Sequence, residues 1–312
     1  MAVTGPRYDT PPTLDLGFKA DLDYLVQVVN SNATAIAEKL LFNAVVEAGV
    51  TAPKVSIPPL VKMIESIIEP VLQKFEGGWS DHPSDSGGAT MRGIILPTFT
   101  NNFDYLLIST AIPAVKTAAE SLNRKYPGWK TDPSKSRQAL YVVAGDAKVA
   151  SIWIKKFFAD KNCRYPIAVM TEDPFLGYFF MECCWGSGPG AYNNSGFDAI
   201  FREYGWNGSV SQFVPFIASL GNKTPELATK IVQRRLQFIL DISAPTKSNS
   251  IFRKGWLNRL INDPTNSNIA LMVKINELFN LNSKGQFQLS PAELEHLKIK
   301  AEIYKTFSIS VP

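Results

Sequence analysis

Two histidines and three cysteines in 312 residues leave little material for metal or thiol chemistry. Cys183 and Cys184 are neighbours, which rarely bridge each other because the geometry strains the intervening peptide, and Cys163 stands alone in the sequence. Neither a disulfide framework nor a zinc site is indicated; buried free thiols are the expectation, and no cofactor is called for. No run approaches the ~18 uninterrupted apolar residues that a membrane helix requires. The N-terminus lacks a basic stretch followed by an apolar one, so no signal peptide is expected. Basic residues do not gather into a block: the densest sites, Lys155-Lys156 and Arg234-Arg235, fall on helical patterns and read as solvated faces. A net charge of +4 suits an anionic surface, yet is too small and dispersed to argue for nucleic acid. No internal repeat or low-complexity tract is present.

The composition that remains, 45% hydrophobic and 19% charged, is that of an ordinary globular protein with room for one large domain or two modules. Residues 1–13, rich in Pro, Thr and Gly, read as an arm. Helical periodicity follows near 15–30 and 33–48, the second segment placing Ala37, Leu40, Leu41, Ala44, Val45 and Ala48 on one face and stopping at Gly49. Prolines 53, 58 and 59 mark a boundary near residue 55. Leu60, Met63, Ile64, Ile67, Ile68, Val71, Leu72 and Phe75 then predict a helix with one buried stripe, kinked or restarted at Pro70 and ended by Gly77-Gly78. Residues 89–96 are short and partly β-branched, which predicts a strand or hairpin arm. Beyond Pro97 the pattern is helical near 103–125, 135–160, 173–185, 196–204, 209–220, 225–243, 249–262, 267–281 and 291–306. Thr224-Pro225 and Ser290-Pro291-Ala292-Glu293 supply start signals. The expected fold is mainly α, with one small β-hairpin beside the helix that ends at Glu76.

That helix end carries the chemistry. Glu76-Gly77-Gly78-Trp79 is followed by Asp81, Asp85 and Thr90 within a turn-rich stretch. Cleaving a glycosidic bond needs an acid for the leaving oxygen and a carboxylate on the other side of the sugar. The negative end of a helix, with Phe75 and Trp79 excluding water, favours a carboxyl that keeps its proton, which suits Glu76 as the general acid. Asp85 is the candidate second carboxylate, with Thr90 placed to hold the water it activates, and Asp81 is its rival. An aspartate in a Gly- and Ser-rich turn also commonly bonds its own backbone, so Asp85 has a purely structural alternative. Trp79 offers a sugar-stacking face or, alternatively, core packing.

The stretch Glu76-Gly77-Gly78-Trp79, Asp81, Pro83, Asp85, Gly87-Gly88-Ala89-Thr90 and Gly93-Ile94 resembles the opening motif of glycoside hydrolase family 108, lysozyme-like muramidases. Further likenesses are the helix from Asp146 to Phe158, the run Tyr178-Phe179-Phe180-Met181-Glu182 with Gly186-Ser187-Gly188-Pro189, and Arg234-Arg235-Leu236 with Gly255-Trp256-Leu257-Asn258-Arg259. Together they cover roughly residues 70–262. Departures are Trp79 where the family has Tyr, Met91-Arg92 for a Lys-Tyr pair, and Gly186 for Asn, which alter subsite contacts. The resemblance implies an α+β lysozyme-like fold and Glu76 as catalytic acid; Trp79, Asp81 and Arg92 are the expected substrate-binding residues.

Three regions are expected: 1–55 as an arm and helices that dock the enzyme or, alternatively, pack on the catalytic domain, 56–264 as the catalytic domain, and 265–312 as a helical extension. The expected activity is hydrolysis of the β-1,4 bond between N-acetylmuramic acid and N-acetylglucosamine in peptidoglycan, with inversion at the anomeric carbon. A lytic transglycosylase and a non-catalytic wall-binding virion protein are the alternatives. Peptidoglycan, and phage virion proteins through the N-terminal segment, are the expected partners, with location in the virion or in the host cytoplasm before lysis.

Overall fold

The computed structural model describes residues 10–47, 69, 72, 77–83, 85, 87–169, 174–188, 196–221, 224–244 and 246–252. Glu76, the boundary near residue 55, most of the stripe from Leu60 to Phe75, and the helices expected beyond 262 lie outside the described residues. The chain divides into two compact units, one holding residues 1–49 and 57–159, the other 50–56 and 160–312. Both are mainly helical, and the first also holds a small antiparallel sheet.

In the first unit, α1 (Leu16–Ser31) starts at Asp15, whose side chain accepts the Phe18 N–H. Phe18, Leu22, Leu25 and Val29 recur at helical spacing and are buried. α2 (Ala33–Glu47) follows. Among the described residues this unit also has three two-residue strands: β1 (Trp79–Ser80), β2 (Thr90–Met91) and β3 (Ile94–Ile95). They form a meander in which Trp79 pairs with Met91, Ser80 and Ile95 flank Thr90, and Met91 pairs with Ile94. The expected hairpin is present and gains β1 as a third strand.

Four further helices of this unit are described: α3 (Leu96–Leu107), α4 (Pro113–Lys125), α5 (Pro133–Val143) and α6 (Ala147–Ala159). The segments expected as single helices near 103–125 and 135–160 are each broken. Ala111 takes a left-handed conformation at φ 55° before Pro113 opens α4, and Asp146 accepts the Lys148 N–H to start α6. Apolar periodicity resumes in phase across both breaks, which hides them. α1 packs on α4 and α5, while α2 packs on α6. The core centres on Trp129, whose ring meets Phe18, Phe99 and Phe103 and whose indole N–H donates to Asn123 Oδ1 at 2.8 Å.

The second unit holds α7 (Lys161–Ala168), α8 (Pro174–Ser187), α9 (Phe197–Glu203), α10 (Phe213–Leu220) and α11 (Thr224–Ile242), with 3-10 turns at Val210–Gln212 and Ser248–Phe252. α7 was not legible because Pro166 lies inside it. Phe180, Phe201, Trp206 and Phe213 meet edge-to-face at the core. The three cysteines are buried and unbridged, and burial together with the adjacent Cys184 pushes the Cys163 thiol up. Among the described residues no helix is long and apolar enough to cross a membrane.

Candidate functional site

Residues 77–95 form the candidate site loop, and its backbone is set turn by turn. The Asp85 N–H donates to the His82 carbonyl and the Gly88 N–H to the Asp85 carbonyl, both at 2.9 Å. Asp85 Oδ1 accepts the Gly87 N–H at 2.8 Å, closing an Asx turn. Gly88 continues at φ 69°, and the Thr90 hydroxyl donates to its carbonyl at 3.2 Å. Arg92 and Gly93, at φ 49° and 76°, make the two-residue turn between β2 and β3, with the positive angles that match strand twist. A side chain at such an angle costs about 1 kcal/mol or more. Arg92 offsets this with a bond from Nε to the Gly145 carbonyl at 3.0 Å.

Three further contacts fasten the loop to the α5 region. Arg137 Nε donates to Asp81 Oδ2 at 2.8 Å, with both side chains about one third exposed, and Arg137 Nη1 donates to the Pro133 carbonyl at 3.1 Å. The Trp79 ring stands edge-on to Tyr141 with centroids 5.7 Å apart. Gly145 faces Met91: a Cβ there would lie 3.1 Å from Met91 Cε and 2.3 Å from the Tyr141 carbonyl oxygen. Arg137, Tyr141 and Gly145 were not singled out from the sequence. Their spacing of four was visible, but it was absorbed into a general helical pattern.

The expected site residues therefore fall in distinct settings. Asp85 and Thr90 share the Gly88 turn and both bond backbone within it. Asp81 is held in an ion pair. Trp79 is 7% exposed and packed, and its Nε1 has no hydrogen-bond partner among the described residues. Arg92 is half-buried with its Nε engaged. Glu76 lies outside the described residues, one position before Gly77, whose neighbour Gly78 leads into β1. The arrangement offers two fixed carboxylates, Asp81 and Asp85, on a loop that starts directly after Glu76.

Residues 70–165 match the family described as Glycosyl hydrolase 108. No curated protein and no solved structure matches the chain. The matched stretch contains the whole site loop and α3 to α6, whereas the likenesses read at 178–189 and 234–259 lie beyond it. The likeness to glycosyl hydrolase 108 therefore rests on residues 70–165, about a third of the chain, with their helices and small antiparallel sheet.

Proposed function

We propose that this protein is a peptidoglycan hydrolase that cuts the β-1,4 bond between N-acetylmuramic acid and N-acetylglucosamine. The observation that carries this reading is the Glu76-Gly77-Gly78-Trp79 opening inside the stretch matched to the family. Glu76 gives its proton to the leaving glycosidic oxygen as the bond to the anomeric carbon breaks. A water held by Thr90 attacks that carbon from the opposite face, and Asp85 takes the proton the water loses, so the product is inverted. Trp79, Asp81 and Arg92 are the substrate-binding residues of this reading. The +4 net charge suits the anionic wall.

The deciding experiment measures reducing ends released from purified sacculi. Glu76→Gln is expected to lower the rate by about 10²–10⁴-fold with folding intact. Near-normal activity in that variant removes Glu76 from its role. Asp85→Asn is expected to be inactive as well; if it works while Asp81→Asn does not, Asp81 is the base. A 1,6-anhydro product would mark a lytic transglycosylase.

The proposed route to the wall is carriage on a phage particle through residues 1–55. α1 buries its apolar stripe within its own unit, so docking through residues 1–55 would use its outer side, where Leu16 and Tyr24 are exposed. Loss of the protein from purified particles on Leu16→Ser/Tyr24→Ser substitution would support docking, and unchanged incorporation would remove it.

A further inference from the structure

Arg137 and Tyr141 lie on α5, and Gly145 in the turn that leaves it, at intervals of four residues. Side chains four apart on a helix stand on one side, one turn above another. Each of the three meets a different part of the site loop. Arg137 holds Asp81, Tyr141 packs on Trp79, and Gly145 receives the Arg92 bond and gives Met91 room. The loop is thus fastened at its beginning and at its far turn by one side of one element.

We propose that this side of α5 is the template that sets the site loop's shape, and that Arg137 is the positioning residue for Asp81. The part played by Asp81 in activity rests on the peptidoglycan-hydrolase reading above; the template role does not. Strands of two residues cannot support themselves, so the loop needs an external frame. Arg137 is suited to provide it because its guanidinium is already held by the Pro133 carbonyl one turn back, leaving Nε aimed at Asp81. A planar fork fixed in this way loses less freedom per bond than a lysine ammonium would. The pair is one third exposed, so it contributes little to global stability. Near reacting atoms, by contrast, a displacement of about 1 Å can cost about 10²-fold in rate.

The test uses the full chain as wild type, Arg137→Ala, Arg137→Lys, Asp81→Asn and the Arg137→Ala/Asp81→Asn pair. Initial rates on sacculi are read together with hydrogen exchange at the Gly87, Gly88 and Leu96 amides, all of which donate to acceptors in the loop. Arg137→Ala is expected to lower kcat/KM by about 10–10²-fold, through KM as well as kcat because Asp81 binds substrate, with Tm down by no more than about 4 °C. Its loop amides should exchange faster. The double variant should be no slower than Asp81→Asn alone, since Arg137 acts through Asp81. Arg137→Lys should recover part of the rate, and it replaces the alanine variant in the cycle if that variant fails to fold. Losses that multiply in the double variant, or wild-type rate and exchange in Arg137→Ala, would overturn the proposal. If the wild type leaves sacculi intact, the enzymatic reading fails and exchange alone decides: faster loop amides in Arg137→Ala uphold the template, and unchanged ones reject it.

Discussion

Helix α1 and the site loop belong to the same unit and are secured by different physics. α1 presents Phe18, Leu22, Leu25 and Val29 as a continuous buried stripe, so its register follows from the area it removes from water. The loop has strands of two residues and a run of turns; its buried apolar anchors among the described residues are Trp79, Ala89 and Ile94. Its position comes instead from directional bonds: Arg137 to Asp81, Arg92 to Gly145, and the Asx turn at Asp85. Apolar packing tolerates small adjustments among many neighbours. A hydrogen-bonded loop is set by a few atoms, which provides accurate placement of polar groups and makes each bond individually important.

That contrast can be broken most severely at Phe18, which is fully buried between Tyr126 and Trp129. Phe18→Ala is expected to destabilise the chain by about 3–5 kcal/mol in denaturant unfolding. A loss below about 1 kcal/mol would show that α1 is not held by its stripe. Gln138 joins the two systems, since its amide accepts the Asp15 N–H at 3.0 Å and donates to the Asp15 carbonyl at 2.9 Å. Gln138→Ala leaves both backbone groups without that partner and is expected to cost about 1–3 kcal/mol. Gly145→Ala places a Cβ against the Tyr141 carbonyl, so the turn must shift, at a cost of about 1–3 kcal/mol. The sharper readout there is faster exchange in the hairpin, because the Arg92 acceptor moves with the turn; unchanged exchange would detach the hairpin from α5.

The smallest effect concerns Asp21 on the outer side of α1, which accepts from Lys125 Nζ at 2.6 Å and from the Tyr126 hydroxyl at 2.7 Å. These bonds, Lys125 first, hold the Asp21 carboxyl below its ordinary value of 3.8. A carboxyl depressed on folding stabilises the protein above its unfolded pKa and loses that contribution as pH falls through the lower folded value. Asp21→Asn is therefore expected to reduce stability by no more than about 1 kcal/mol at neutral pH. The difference should shrink in acid well below pH 3.8. A Tm difference between wild type and variant that stays constant across that range would assign the effect to packing instead.

Much of the helical framework was legible because its signals are local. The span near 15–30, the start at Thr224-Pro225 and the span near 225–243 all follow from spacing over one or two turns. The breaks at Ala111-Ile112 and Ala144-Gly145-Asp146 were missed because the apolar phase carries through them, and α7 because a proline argued against it. In the site, the turn chemistry of Asp85 and the hairpin at Arg92-Gly93 belong to short-range sequence. The partners of Asp81, Trp79 and Arg92 do not.

What the sequence determined by itself is most of the helical spans, the hairpin and the opening from Glu76 to Thr90, since capping, periodicity and turn formation act between residues close along the chain. Tertiary structure alone decided that α5 frames the site loop. Arg137 lies 56 residues from Asp81, and Gly145 lies 53 from Arg92. No local propensity selects one distant partner over another. Those pairings arise only when burial of the apolar faces brings α5 beside the loop, and directional bonds between specific side chains then fix the contact.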